Sequence, residues 1–177
     1  VDYRIVPLAD YEPDILYQKQ VEAYYADPEL NKPVGRFGNA ADKWGLANWM
    51  AAAVADEADA DVGFYHIGGV RLDSIPAGGV SAAKVYGLEP FGTLVARMEM
   101  TPAQMRRMIV SKYNDPVNAK EAHRIDLIST TPYMIVTDAA DNALDVQFPK
   151  LREGRKYKVA VSDYIYRNYK DMEYTGG

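Results

Sequence analysis

Two short stretches hold residue types that could do chemistry together. In Ala60-Asp-Val-Gly-Phe-Tyr-His-Ile-Gly-Gly-Val-Arg-Leu72 an apolar run leads to His66, a glycine pair follows at Gly68 and Gly69, and Arg71 comes straight after. Twenty residues beyond Arg71, Phe91 stands in Leu88-Glu-Pro-Phe-Gly92. Glycines let backbone come close to a ligand and allow positive φ. Arginine offers a rigid fork of donors to a carboxylate or phosphate. Phenylalanine offers a flat face for stacking. Together they suit the binding of a flat, anionic small molecule rather than bond breaking. Each residue also has a plainer reading: a tight turn at the glycines, an ion-pair partner in Arg71, a core ring in Phe91, and a hydrogen-bonded strand end in His66.

The groups that break bonds are missing. The two histidines, His66 and His123, lie 57 positions apart and neither belongs to a close-spaced ligand pair. A hydrolytic metal centre needs several His, Asp or Glu ligands. There is no cysteine, hence no thiolate and no disulfide. No G-x-S-x-G elbow and no P-loop occurs. Asp56, Glu57, Asp59 and Asp61 crowd together, as a solvated helix end does. No catalytic residue and no cofactor or metal site is therefore expected within this chain. The 177 residues carry a net charge of −5, which gives no electrostatic reason to expect nucleic acid. No apolar stretch approaches the ~18 residues that span a membrane. The first residue is Val1, which is expected of a processed form whose targeting signal has been removed.

The elements that must position these residues follow from pattern. Tyr3 to Pro7 reads as an edge strand or linker. Pro13 opens a helix that carries Ile15, Leu16, Val21 and Tyr24 at helical spacing to about Ala26. Asp27 to Gly38 reads as a loop, rich in proline, glycine and asparagine. A helix is expected from about Ala40 to Ala58, capped by Asn39, with Trp44, Ala47, Met50, Ala51 and Val54 on one face. Val62–Tyr65 is a strand into the glycine turn. Ser81 caps a short helix to Tyr86. Thr93–Met100 is a strand, and Thr101-Pro102 opens a helix to residue 113. Residues 114–126 are polar and irregular. Tyr133–Thr137 and Leu144–Phe148 make a hairpin around Asp138–Asn142. Lys156–Val161 is the last strand, and Tyr164 to Gly177 a tyrosine-rich tail. Interspersed helices and strands with a hairpin predict an α+β fold: one domain, a mixed β-sheet flanked by helices.

Several blocks in this order resemble one family. Asn48-Trp-Met-Ala-Ala-Ala-Val54 is similar to N-L-x-A-D-A-M. Ala60-Asp-Val-Gly and His66-Ile-Gly-Gly-Val-Arg71 resemble A-D-[IV]-A and N-G-G-G-I-R. Ile75-Pro-Ala-Gly-Gly-Val80 resembles I-x-x-G-x-[IV]. Tyr86-Gly-Leu-Glu-Pro-Phe-Gly-Thr93 resembles V-x-P-F-G-N. Met100-Thr-Pro-Ala-Gln-Met105 is like L-T-G-x-Q-L, and Lys156 to Tyr164 is like Y-x-V-A-T-N-D-[FY]. These are blocks of the C-terminal domain of the 5'-nucleotidase and UDP-sugar hydrolase family. The match implies residues 39–177 as a substrate-recognition domain, with residues 1–38 an N-terminal strand, helix and loop that join or precede it.

The resemblance implies a nucleoside or nucleotide-like ligand and a partner metallophosphatase domain, in cis or in trans. That partner would carry a divalent metal pair and the hydrolase activity, in nucleotide catabolism at a periplasmic, cell-surface or secreted location. It implies that Arg71 contacts substrate and that Phe91 and Tyr164 sandwich the base, rings roughly 7 Å apart, twice a contact distance. Gly68, Gly69 and His66 would line the same pocket. His66 and Ile67 stand where the family has asparagine and glycine, and Thr93 where it has asparagine. The family's G-G-D-G-[FY] is absent after Tyr164, leaving Asp171 as the nearby acid for the sugar hydroxyls. These departures imply, as the alternative, a member that no longer binds nucleotide and serves as an interaction or structural module.

Overall fold

The computed structural model describes residues 3–116 and 126–169. Four strands form its central sheet: β3 (Val62–His66), β6 (Val95–Met100), β7 (Leu127–Ser129) and β10 (Tyr157–Ser162). Their order across the sheet is β6-β10-β3-β7. β3 and β10 run parallel, while β6 and β7 pair antiparallel at the two edges. The sheet is mixed and helices lie on both faces, so the chain is α+β as its pattern predicts.

Period-two alternation assigns the two faces. Val62 and Phe64 of β3, with Tyr157, Val159 and Val161 of β10, face one core shared with Met105, Met108 and Ile109 of α5 (Pro102–Tyr113). The hairpin β8 (Met134–Thr137) and β9 (Ala143–Gln147) adds Val146 to that core. Tyr65 and Ala160 face the other core, against Leu46, Ala47, Ala51 and Val54 of α3 (Lys43–Glu57). The seam with α3 is tight: a Cβ on Gly63 would lie 2.1 Å from the carbonyl oxygen of Ala51. The alanine run of α3 and the glycine of β3 thus serve one purpose, close approach of helix to sheet.

Local chemistry sets the ends of the helices. Thr101 and Gln104 form a reciprocal capping box on α5, with Pro102 in its first turn, an arrangement worth about 1 kcal/mol. Asp42 caps α3 by accepting from Gly45 N at 2.8 Å. Asn39 is not the cap, because β2 (Ala41–Asp42) pairs with β4 (Ser74–Ile75) and holds the chain extended to Asp42. Of the face expected for α3, Ala47, Ala51 and Val54 are buried, while Trp44 points outward.

Three other segments differ from their expected form. Residues 27–38 are not a plain loop: α2 (Pro28–Asn31) is capped by Asp27, and β1 (Pro33–Phe37) pairs antiparallel with β5 (Gly78–Ser81). Distant backbone supplies the partners there, which composition does not reveal. Residues 3–7 form no strand and lead into a single turn at Leu8–Asp10. The expected polar tail begins instead with α6 (Asp163–Asn168), capped by Ser162. The helix expected after Pro13 is present as α1 (Ile15–Tyr25), capped by Asp14 and without a buried residue. The short helix after Ser81 is present as α4 (Ala82–Leu88). No helix of the described residues is long and apolar enough to cross a membrane.

Candidate functional site

β3 delivers the chain to the site. After His66 the backbone makes a single 3-10 turn, Ile67–Gly69. Ile67 N donates to Asp126 O at 2.8 Å, and Val70 N donates to Ile67 O at 3.1 Å. Neither glycine of the pair adopts positive φ, contrary to one use proposed for them from sequence. Gly69 is needed for space: a Cβ there would lie 2.6 Å from Cε1 of the His66 ring. Gly68 is exposed at the surface of the turn.

Arg71 follows, its backbone N donating to Leu88 O at 3.0 Å. That bond ties the arginine to the start of the loop that carries Phe91. Glu89 shapes this loop from inside. Its carboxylate accepts from Phe91 N at 3.3 Å, Thr93 N at 3.4 Å and the Thr93 hydroxyl at 2.7 Å. Gly92 takes φ +62° to complete the turn, a conformation that a β-carbon would strain. The far end of the loop is tied to α6. Asp163 N donates to Leu94 O at 2.8 Å, and Leu94 N donates to the Asp163 carboxylate at 3.3 Å. The loop that carries Phe91 is thereby tied to Arg71 at its start and to the first residue of the helix bearing Tyr164 at its end.

The Arg71 guanidinium carbon lies 5.8 Å from the centre of the Phe91 ring, within cation–π reach. Among the described residues no carboxylate comes within ion-pair distance of Arg71, and the residue is exposed. Phe91 is 61% exposed, which sets aside the reading of it as a core ring. Tyr164 is 48% exposed. His66 stacks on it at 4.5 Å between centroids and 21° between planes. Tyr169 meets Tyr164 edge-on at 6.4 Å. Of the residues expected to gather, the structure thus joins Arg71 to Phe91, and His66 to Tyr164 and Gly69. Asp171 and His123 lie outside the described residues.

The His66 ring is desolvated, and this lowers its pKa from the usual value; Asp126 opposes the shift and Lys112 adds to it. His66 is therefore neutral near pH 7, with Nδ1 buried and without a hydrogen-bond partner among the described residues. Tyr65, fully buried behind the turn, also stacks on His66, at 5.3 Å. Burial first, and then the Glu89 carboxylate, push its hydroxyl up to about 12. Thr93 lies beside that hydroxyl, but commits its own to Glu89. The residues that sequence reasoning missed are the supports Glu89, Asp163 and Asp126, while Tyr169, visible as part of the tyrosine-rich tail, is buried against Asp126. An acid directly before Pro-Phe-Gly was visible at Glu89, but its acceptor role depends on how the loop closes.

Two concavities flank the site. A cavity of about 370 Å³ lies across Leu88, between Phe37, Trp49, Ile75, Val80 and Val85. Its lining is mainly apolar but includes Arg36, and it contains none of His66, Gly68, Gly69, Arg71, Phe91 and Tyr164. A shallower depression, bounded by Ala58, Thr93, Leu94 and Arg97, borders the Phe91 loop. No group of three or more His, Cys, Asp or Glu among the described residues could hold a metal ion. The donor set of the described residues does not fit the metal pair of a phosphoesterase.

Residues 29–174 match the sequence model of the family described as 5'-nucleotidase, C-terminal domain. The chain belongs to the 5'-nucleotidase C-terminal domain family. The fold agrees with solved structures of larger proteins. A 5'-nucleotidase precursor from Thermus thermophilus superposes with a TM-score of 0.64 at 18% identity, over 90% of this chain and 35% of that one. The NAD nucleotidase of Haemophilus influenzae gives 0.62 at 17%, over 89% and 33%. The sulfate thiohydrolase SoxB of Thermus thermophilus gives 0.63 at 15%, over 96% and 34%. At such identities the likeness is one of fold. The chain spans about a third of the length of these proteins. No curated protein sequence matches it.

Proposed function

We propose that this domain recognises the nucleoside part of a nucleotide-like substrate for a 5'-nucleotidase-type phosphohydrolase. A dimetal phosphoesterase domain outside this chain, in cis or in trans, does the hydrolysis and carries the metals. The observation that supports this best is the pairing of Arg71 and Phe91. The guanidinium of an exposed residue, with no carboxylate partner among the described residues and laid over an exposed ring at 5.8 Å, offers both charge and a stacking face to an anionic, flat ligand. Stacking a base on one ring contributes about 1–3 kcal/mol. Tyr164 and His66, joined to the same loop through Asp163, offer the second aromatic surface. Asp171 serves the sugar hydroxyls, and residues 39–177 form the recognising unit. An exported location, periplasmic or at the cell surface, goes with this reading.

Calorimetric titration of the chain with adenosine, AMP and UDP-glucose tests it. Binding of at least one is expected. Arg71→Ala should weaken AMP by about tenfold, the worth of one charge-assisted contact, and Phe91→Ala by a similar factor. Heat evolution absent at millimolar ligand, from a chain that unfolds cooperatively, would sink the proposal. A second reading draws on the His66–Tyr164 stack, which fills one face of a ring expected to hold the base. Under it the domain is a non-binding interaction module, and both substitutions leave any activity of the assembled protein unchanged.

A further inference from the structure

Behind the aromatic surface sits a polar cluster that the binding reading does not use. Tyr169 is buried, and its hydroxyl donates to the Asp126 carboxylate. Lys112 Nζ lies 3.6 Å from the same carboxylate and 5.0 Å over the Tyr169 ring. The Asp126 side chain is 13% exposed. Gathering a buried phenol, a largely buried carboxylate and a partly exposed ammonium is a poor way to gain stability, since apolar side chains of similar volume do as well or better. The void beside them, about 10 Å³ among Ile109, Lys112, Asp126 and Tyr133, holds at most one water. The cluster is therefore not a ligand site of its own.

Its contacts lead to the site by two routes. The backbone carbonyl of Asp126 accepts from Ile67 N at 2.8 Å, which fixes the turn that carries Arg71. Its side chain holds Tyr169, whose ring meets Tyr164 edge-on at 6.4 Å and 77°. Tyr164 in turn stacks on His66 at 4.5 Å. An exposed tyrosine on a short helix has free rotation about its side-chain bonds unless something limits it. Here the limit comes from a buried ring, and that ring is oriented by an acid.

We propose that Asp126, Tyr169 and Lys112 are positioning residues: a buried brace that sets the orientation of Tyr164 against His66 and so prepares the stacking surface for ligand. The inference rests on the nucleoside-binding reading for its purpose, but not for its geometry. Removing one hydroxyl, with the ring kept, should loosen the stack without opening the core.

Tyr169→Phe tests this with two readouts. The first is the proton NMR shift of the His66 imidazole in the ligand-free chain, which senses the ring current of Tyr164. The second is AMP affinity by calorimetry. The brace predicts that the His66 signals move toward those of an unstacked imidazole, and that AMP binds about five- to tenfold more weakly, as loss of a charge-assisted hydrogen bond implies. Unmoved His66 signals overturn the proposal whatever the affinity does. Moved signals with AMP affinity within about twofold of wild type also overturn it, because the stack then does not serve binding. If the wild-type chain binds no AMP, the nucleoside reading fails by itself and the brace is judged on the His66 spectrum alone. Lys112→Met, which keeps the stem and removes the charge, is read in the same two ways should Tyr169→Phe not fold.

Discussion

His66 shows how one position serves fold and site together. Its ring is packed against Tyr65 and Tyr164, and Gly69 must lack a side chain to leave it room. The surroundings that act on its charge are the desolvating rings first, then Asp126, Lys112 and Glu89. Desolvation dominates, so the folded chain resists a proton that the unfolded chain accepts near pH 6.5. The sign follows from linkage: with the folded pKa lowered, stability is complete above about pH 6.5 and is lost as pH falls below it. Asparagine at this position carries no such dependence. Thermal unfolding from about pH 7 down to about pH 5 should therefore lower Tm more in the wild type than in His66→Asn. Parallel curves for the two proteins would show that His66 takes up its proton in the fold as readily as in solution. The contrast with Arg71 is instructive. Arg71 is exposed and its side chain holds no part of the core, so its loss should tell on ligand and hardly at all on stability.

At the scale of elements, the site depends on how closely α3 lies on the sheet, because β3 hands its end directly to the glycine turn. Gly63 is the closest point of that seam. A Cβ there would meet the Ala51 carbonyl oxygen at 2.1 Å and the Ala55 Cβ at 2.9 Å, and a backbone oxygen cannot turn away as a side chain can. Gly63→Ala should cost about 3 kcal/mol or more, at the upper end of overpacking, measured as a lowered urea midpoint at unchanged slope. A loss below about 1 kcal/mol would mean that α3 can shift at little cost. The same seam explains what was legible in the sequence. Thr101-Pro102, Ser81 and the alternation of Lys156 to Val161 announce their elements because the signals are local. β1 was not legible: Pro33, Gly35 and Gly38 read as loop residues, and the strand exists because β5 lies alongside. The cap of α3 was misread for a similar reason, since β4 holds residues 41 and 42 extended. At the site, Arg71 and Phe91 could be picked out by type and spacing. Asp126 and Tyr169 could not, because 43 positions separate the hydroxyl from its acceptor.

For the whole molecule, the two cores and the loop between Leu88 and Leu94 make one scaffold, while the N-terminal stretch is built differently. Tyr3, Ile5, Leu8, Leu16, Tyr17 and Tyr24 are all largely exposed, and α1 buries nothing. The domain presents its aromatic and cationic groups on the opposite terms: held in place by Glu89, Asp163 and the Arg71–Leu88 bond, yet open to solvent. Under the proposed function, that combination preorganises the surface for a flat anion. It is tested most directly by backbone amide NMR of the chain titrated with AMP. The shifted resonances should gather at residues 66–72, 89–94 and 162–169, and Arg71→Ala should reduce those shifts at equal ligand. Shifts gathering instead around Phe37 and Trp49, or no shift at millimolar AMP, would contradict it.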